Sequence, residues 1–298
     1  RSRRQRQMCI RDSHCFGQRS YIHFEPRKRN LRMNHKIKAL FFDIDGTLVS
    51  FQTHQIPTST VQALEEAKAN GVQVYISTGR PLSLITVLGS IQHLIDGYIT
   101  TNGAYCFVGN HDVCQHAIPR ESVDFVISQA IEQQFCCVLV GTKHLCVFQQ
   151  DETFNQVFLE LLKVQGIDKA VSQNVVLQEP ILQLSPFITQ QLEIELMSKL
   201  PTCQSGRWHP AFTDITSLYA DKGQGLQAMA NYLGLSLNET MAFGDGGNDI
   251  TIIQQAGIGV AMGNAVPELK QVADYITTSV DEHGVREALI HYGIIAKD

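Results

Sequence analysis

The stretch Ala39-Leu40-Phe41-Phe42-Asp43-Ile44-Asp45-Gly46-Thr47-Leu48 decides how the rest of the 298-residue chain is read. Its four leading apolar residues predict a strand buried on both faces. The strand ends in two carboxylates two residues apart, then Gly-Thr. Carboxylates placed directly after a core strand are costly to bury unless something positive meets them. In an open α/β sheet that place is where ligands bind, at the carboxyl ends of the strands. Asp43 and Asp45 can share a divalent cation, and a carboxylate can also be a covalent nucleophile toward phosphorus. The plainer alternative is an Asp-Gly turn with incidental acids, and the sequence downstream decides between them.

Outward from this strand the pattern is regular. Pro57-Thr58-Ser59-Thr60 opens a helix to about Ala69, which Asn70-Gly71 stops. Val72 to Ser77 reads as a second buried strand ending in Thr78-Gly79-Arg80-Pro81, followed by a helix to about Gln92. Residues 97–100 form a third strand ending in Thr101-Asn102-Gly103-Ala104. Alternating strands and helices with short connections predict a doubly wound parallel sheet of Rossmann-like α/β type.

The rhythm changes after residue 105. Short strands near 105–108 and 113–117, a helix from Arg120 to Gln134, strands 136–140 and 145–149 and a helix near 153–164 follow. A strand-like run at 175–184, a helix near 189–199 and strands near 203–208 and 212–216 complete an α+β insert. Its expected bounds are 118–206, between core segments 35–117 and 207–298. The alternation returns with a helix from Lys222 and a strand 240–243 ending in Gly244-Asp245-Gly246-Gly247-Asn248-Asp249. A short helix 249–256, a strand 258–262, Gly263-Asn264-Ala265, a helix 267–272 and an edge strand at 275–277 close the pattern.

Composition narrows the function classes. Residues 1–34 hold nine arginines and Lys28 against Asp12 and Glu25, a net of +8 that leaves −13 on the remainder of a formal −5 chain. So acidic a body predicts no nucleic-acid partner. No apolar run approaches the ~20 residues of a membrane span. The eight cysteines include no C-x-x-C pair and read as small core residues of a reducing, cytoplasmic protein. Residues 1–34 lack a core-forming period and are expected to be a disordered leader or non-native tail, with Met33 as the natural start.

The polar residues that break the pattern all follow core strands or open core helices: Asp43 and Asp45, Thr78, Lys222, and Asp245 with Asn248 and Asp249. Parallel strands bring their carboxyl ends side by side, so these groups can converge. The acids suit Mg²⁺, while Lys, Thr and helix-start N–H groups suit phosphate oxygens.

Asp-x-Asp-Gly-Thr, a Ser/Thr at the second strand end, a Lys, and Gly-Asp-Gly-x-Asn-Asp, in that order, resemble the motif set of the haloacid-dehalogenase superfamily. The Thr-Gly-Arg, Thr-Asn-Gly-Ala and Met-Gly-Asn-Ala stretches resemble its Cof-type phosphatases. The resemblance covers about 36–298 and is strongest in the core. It implies a larger, C2-type α/β cap between the second and third motifs and Mg²⁺-dependent hydrolysis of small phosphomonoesters. Asp43 matches the nucleophile that forms an aspartyl-phosphate, and Asp45 the general acid and base. Thr78, Gly79, Lys222 and Asn248 match phosphate-binding positions. Asp43, the Asp45 carbonyl and Asp245 match metal ligands, with Asp249 acting through water or as an orienting acid.

Other residues stay open between substrate contact and structure. Arg80 can touch substrate or tie its loop to the core by an ion pair. Asn102 and Asn264 suit turns as well as contacts. Arg207, Trp208 and His209 form a cationic and aromatic cluster able to grip a sugar or ring, though packing explains such residues too. The substrate classes implied are sugar phosphates first and cofactor phosphates such as pyridoxal or flavin phosphates second. A phosphosugar mutase of phosphomannomutase type and a non-catalytic phosphosugar sensor are the alternatives. A monomer or small homo-oligomer is expected.

Overall fold

A computed structural model describes residues 36–297 apart from 163 and 165. The expected disordered tail at 1–34 lies outside the described residues. Five strands come first: β1 (Ala39–Phe42), β2 (Gln73–Ser77), β3 (Gly97–Thr100), β4 (Tyr105–Val108) and β5 (His111–Gln115). The insert supplies β6 (Cys137–Val140), β7 (Leu145–Phe148), β8 (Gln183–Pro186), β9 (Cys203–His209) and β10 (Phe212–Ser217). Three more follow: β11 (Thr240–Gly244), β12 (Ile258–Ala261) and β13 (Tyr275–Ile276).

These strands make an eight-stranded sheet in the order β13-β12-β11-β1-β2-β3-β4-β5 and a five-stranded sheet in the order β7-β6-β8-β10-β9. In the larger sheet, β1 lies between β11 and β2, parallel to both. All four of its side chains are buried, as the unbroken apolar run requires. Leu40 and Phe42 face the helices Thr58–Ala69 and Gly284–His291. Ala39 and Phe41 face the helices Lys222–Leu233 and Ile250–Gln255 on the opposite side. Phe41 stacks on Tyr75 and Phe42 on Phe243, so aromatic rings bind β1 to both neighbours. The α/β doubly wound core is therefore as expected, but its sheet is mixed: β4 and β5 extend it as antiparallel edge strands.

Four local expectations are corrected. The helix expected to reach Gln92 is replaced by single 3₁₀ turns at Leu82–Leu84 and Gln92–Leu94. Consecutive β-branched residues at 85–87, followed by Gly89, disfavour helix there. The run at 175–184 starts as a helical turn, Gln173–Val176, and becomes strand only at Gln183, after Pro180. The helix at 284–291, with Val285, Ala288 and Leu289 buried, was not anticipated. The expected return to the core at 207 is displaced: β9 and β10 pair antiparallel, and β10 pairs with β8 in the smaller sheet. The chain rejoins the larger assembly only after Ser217, with the helix that Lys222 opens.

Candidate active site

Asp43 is the first residue past β1. Its N–H donates to Phe243 O at 3.1 Å, carrying the β1–β11 ladder one step beyond the strand and fixing the carboxylate above it. Lys222 opens its helix behind the cap Asp221, whose Oδ1 accepts from Gln224 N. The Lys222 side chain is fully buried, and Nζ donates to Asp43 Oδ1 at 2.7 Å and to Asp249 Oδ1 at 2.6 Å. Asp249 Oδ2 accepts from the N–H groups of Asp245 and Gly246, so this one side chain shapes the loop after β11. Thr47 Oγ1 donates to Asp245 Oδ1 at 3.1 Å, a clamp that sequence reading passed over although Thr47 stands inside the opening motif.

Carboxylate oxygens of Asp43, Asp245 and Asp249 lie within 4.8 Å of one another. Burial pushes Asp43 up to about 8, against the pull of Lys222, with Asp249 and Asp245 adding to the rise. Burial and then Asp249 push Asp245 up to about 7. Burial alone would lower the Lys222 ammonium, but Asp249 and Asp43 hold it above its ordinary value. One ammonium among three acids leaves the cluster short of positive charge.

Gly46 makes this crowding feasible. It sits at φ +81°, and a Cβ there would lie 2.2 Å from Asp245 Oδ2 and 2.6 Å from Phe51 Cε2. Gly46→Ala is expected to cost about 1–3 kcal/mol in backbone strain alone and to displace Asp245 as well. A lowered Tm together with a weakened Mg²⁺ titration checks this; an unchanged titration would show that Asp245 tolerates the methyl.

Asp45 lies apart from the carboxylate cluster. Arg80 grips it in a bidentate pair, Nε to Oδ2 and Nη2 to Oδ1, both at 2.7 Å. Arg80 Nη1 also donates to Leu84 O. The ion-pair reading of Arg80 therefore holds in this conformation. Thr78 extends the β2–β3 ladder through its N–H to Ile99 O, one strand over from Asp43. Its buried hydroxyl accepts from Arg80 N. The missing Cβ of Gly79 leaves room for Asn102, whose Oδ1 accepts from Asn248 Nδ2 at 2.9 Å. Asn102 thus links two strand-end loops. Asn264 is a clip: its Nδ2 donates to Gly46 O and its Oδ1 accepts from Val280 N.

Arg207 and His209 are not part of this constellation. Both belong to β9 of the smaller sheet, where Arg207 Nε meets Glu193 Oε2 at 2.6 Å and its other nitrogens reach Ile188 O and Pro210 O. Of the two readings left open for Arg207, these contacts give it the packing one, under the helix Gln190–Met197. His209 Nδ1 accepts from Ala211 N, and the ring stacks on Phe212, closing the β9–β10 turn. Sequence reading also missed Asp214, whose carboxylate accepts from Ser185 Oγ at 2.6 Å and Trp208 Nε1 at 2.8 Å. Its only sequence signal was the alternation Phe212-x-Asp214-x-Thr216 along one strand face.

An acid-and-lysine cluster at parallel strand ends, interrupted by a second domain-sized sheet, defines a class of α/β hydrolases. Residues 40–289 match the family model described as haloacid dehalogenase-like hydrolase, and the chain belongs to that family. The YkrA protein of Bacillus subtilis (strain 168) is 32% identical over 266 residues, covering 87% of this chain and 98% of its own. A 5-amino-6-(5-phospho-D-ribitylamino)uracil phosphatase, YcsE, of the same organism is 28% identical over 86% of this chain and 96% of its own. Among solved structures, the HAD subclass IIB sugar phosphatase BT4131 superposes with a TM-score of 0.77 at 45% identity, covering 87% of this chain and all of that one. The phosphatase BT1666 of Bacteroides thetaiotaomicron does so with 0.77 at 33% identity, covering 92% and all of each in turn. The resemblance to Cof-type phosphatases is borne out, and the protein is a hydrolase. Three clustered carboxylates fit the family's divalent cation, being all-oxygen, close together and short of positive charge. Among the described residues no helix is long and apolar enough to cross a membrane.

Proposed function

We propose that the protein is a Mg²⁺-dependent phosphatase of small phosphomonoesters, sugar phosphates foremost and cofactor phosphates next, acting through an aspartyl-phosphate on Asp43. The observation that carries this is the placement of Asp43 against buried Lys222, with Asp45 two residues away on the more open side. Lys222 occupies Asp43 Oδ1, while Oδ2 has no hydrogen-bond partner among the described residues. That oxygen attacks phosphorus in line as the P–O ester bond breaks, and Asp45, which takes a proton from solvent on leaving Arg80, gives that proton to the departing alkoxide. In the second half-reaction Asp45 takes a proton from water, whose oxygen displaces Asp43 from phosphorus and releases phosphate. Asp45 must exchange Arg80 for the leaving oxygen, so substrate entry loosens that pair. Lys222, the Thr78 hydroxyl, the Gly79 N–H and Asn248 offset the charge on the transferring oxygens.

Asp43, Asp245 and the Asp45 carbonyl would hold Mg²⁺ with Asp249 behind them, and the ion would supply positive charge to the phosphoryl group. Residues 118–217 are read as the cap, supported by apolar cores of their own on both faces of the five-stranded sheet. Free cysteine thiols favour placing the reaction in the cytoplasm.

The test is hydrolysis of p-nitrophenyl phosphate and a phosphosugar panel after EDTA treatment and after Mg²⁺ return. Activity is expected to vanish and come back. Full turnover in metal-free buffer would remove the mechanism.

A further inference from the structure

We infer that Cys106 and Cys114 are a modification site, a dithiol that peroxide oxidises to a cross-strand disulfide with Cys114 as the attacking thiol. The inference concerns the edge of the larger sheet and stands apart from the phosphatase reading.

Cys106 and Cys114 face each other across β4 and β5, in register and therefore on the same side of the sheet. Two residues along the same ladder, His116 N donates to Ala104 O. The alternation thus puts the two cysteines at a hydrogen-bonded pair, with Cα atoms about 5.5 Å apart. A disulfide spans that distance without moving the backbone far. The Cβ atoms of such a pair stand about 4.5–5.5 Å apart and must close by about 1 Å. β5 is the last strand of the sheet, and the β4–β5 register shifts immediately after Cys106, so the hairpin can give that much.

The two thiols are unequal. Cys106 is fully buried in the cluster that holds Ile99, Leu226 and Met229. Its sulfur lies beneath the first turn of the helix that Lys222 opens, where a Cβ on Gly225 would stand 3.2 Å from it. Closure toward β5 therefore withdraws an atom from under that helix. Cys114 is half-buried on the edge strand. The Cys106 S–H donates to the Cys114 sulfur, which raises the first thiol, with burial adding to the rise, and lowers the second. The other four described thiols, Cys136, Cys137, Cys146 and Cys203, are all pushed up by burial. Among the described residues Cys114 alone joins access to thiolate character, the pairing that makes a cysteine reactive. Packing explains a small side chain at 106, under Gly225, but gives no reason for a thiol on the half-open edge beside it.

The step balances with hydrogen peroxide as oxidant. The Cys114 thiolate attacks one peroxide oxygen, the O–O bond breaks, hydroxide leaves, and a sulfenic acid forms on Cys114. The Cys106 sulfur then displaces hydroxide from the Cys114 sulfur, its proton leaves with that hydroxide as water, and the S–S bond forms. Two electrons pass from the thiols to the peroxide, which ends as two waters. Two equivalents of a small thiol return the pair by exchange.

The test is peptide mapping of the native full chain after peroxide, with the remaining thiols alkylated. Cleavage before Asp112 parts Cys106 from Cys114, and the map keeps Cys9 and Cys15 separate from both. The two peptides are expected to be joined, about 2 Da lighter than their reduced sum, and to separate with dithiothreitol. Cys106→Ser should stop the reaction at the sulfenic acid, which dimedone captures on Cys114. Cys114→Ser should leave Cys106 reduced, because the buried thiol does not meet the oxidant. Fully buried Cys137 is the internal control and should stay reduced. A pair left unmodified, a bond from Cys114 to any other cysteine, or oxidation of Cys137 as fast as Cys114 would overturn the site. None of these readings depends on turnover, so their failure leaves the phosphatase reading standing.

Discussion

Asp43→Asn is expected to reduce turnover by about 10⁴-fold or more on every substrate, with the fold intact, because the attacking oxygen is replaced by an amide of equal volume. The fold should persist because Lys222 keeps its second partner, Asp249, at 2.6 Å, and three crowded acids become two. Residual rate comes from the remaining phosphate contacts, which still orient water against the ester. The measurement is kcat with saturating Mg²⁺ beside a thermal melt. Activity above about one percent of wild type at an unchanged Tm would mean that Asp43 holds the metal without forming a covalent bond.

The acid-and-lysine layer of the candidate site was legible because each of its residues stands where a buried strand stops or a helix starts. The apolar run before Asp43 and the one before Asp245 fix two adjacent parallel strands, and adjacency of strand ends does the rest. Partners within the layer were less legible. No pattern shows that Lys222 spans Asp43 and Asp249, or that Arg80 takes Asp45 out of the acid cluster, since both depend on side-chain directions across separate loops.

The insert was less legible than the core for two physical reasons. Arg207 and Trp208 were grouped as neighbours in sequence, but consecutive residues of a strand point to opposite faces. Arg207 accordingly meets Glu193 of a packed helix, while Trp208 meets Asp214 on the other side. Asp214 itself carries no local signal, because its partners come from β8 and β9, about 30 residues before it and 6 before it respectively. The π-helical turn Asn155–Leu161 departs from the helical period that the sequence suggested, at a place where Phe154 and Phe158 are drawn onto the aromatic cluster.

Lys222→Ala should combine the largest loss of stability with a general loss of rate. Removing the ammonium leaves Asp43 and Asp249 buried, unpaired and facing each other, with Asp245 adjacent. Breaking a buried pair from one side costs about 3–5 kcal/mol, which for a domain of this size lowers Tm by roughly 6–20 °C in metal-free buffer. Part of that loss should return with Mg²⁺, because a dication among the same carboxylates offsets the missing charge, and the gain should exceed that of wild type. The rate should not return with it. Transition-state charge on the phosphoryl oxygens still lacks its ammonium, a deficit of about 10²–10³-fold on hexose phosphates and p-nitrophenyl phosphate alike. Lys222→Arg separates charge from shape, since its planar guanidinium does not fit a socket built for two contacts at 2.7 and 2.6 Å around one nitrogen. It should recover more stability than activity. A Lys222→Ala protein as stable as wild type without metal would show that the two carboxylates share protons rather than repel, and the ammonium would then serve the transition state alone.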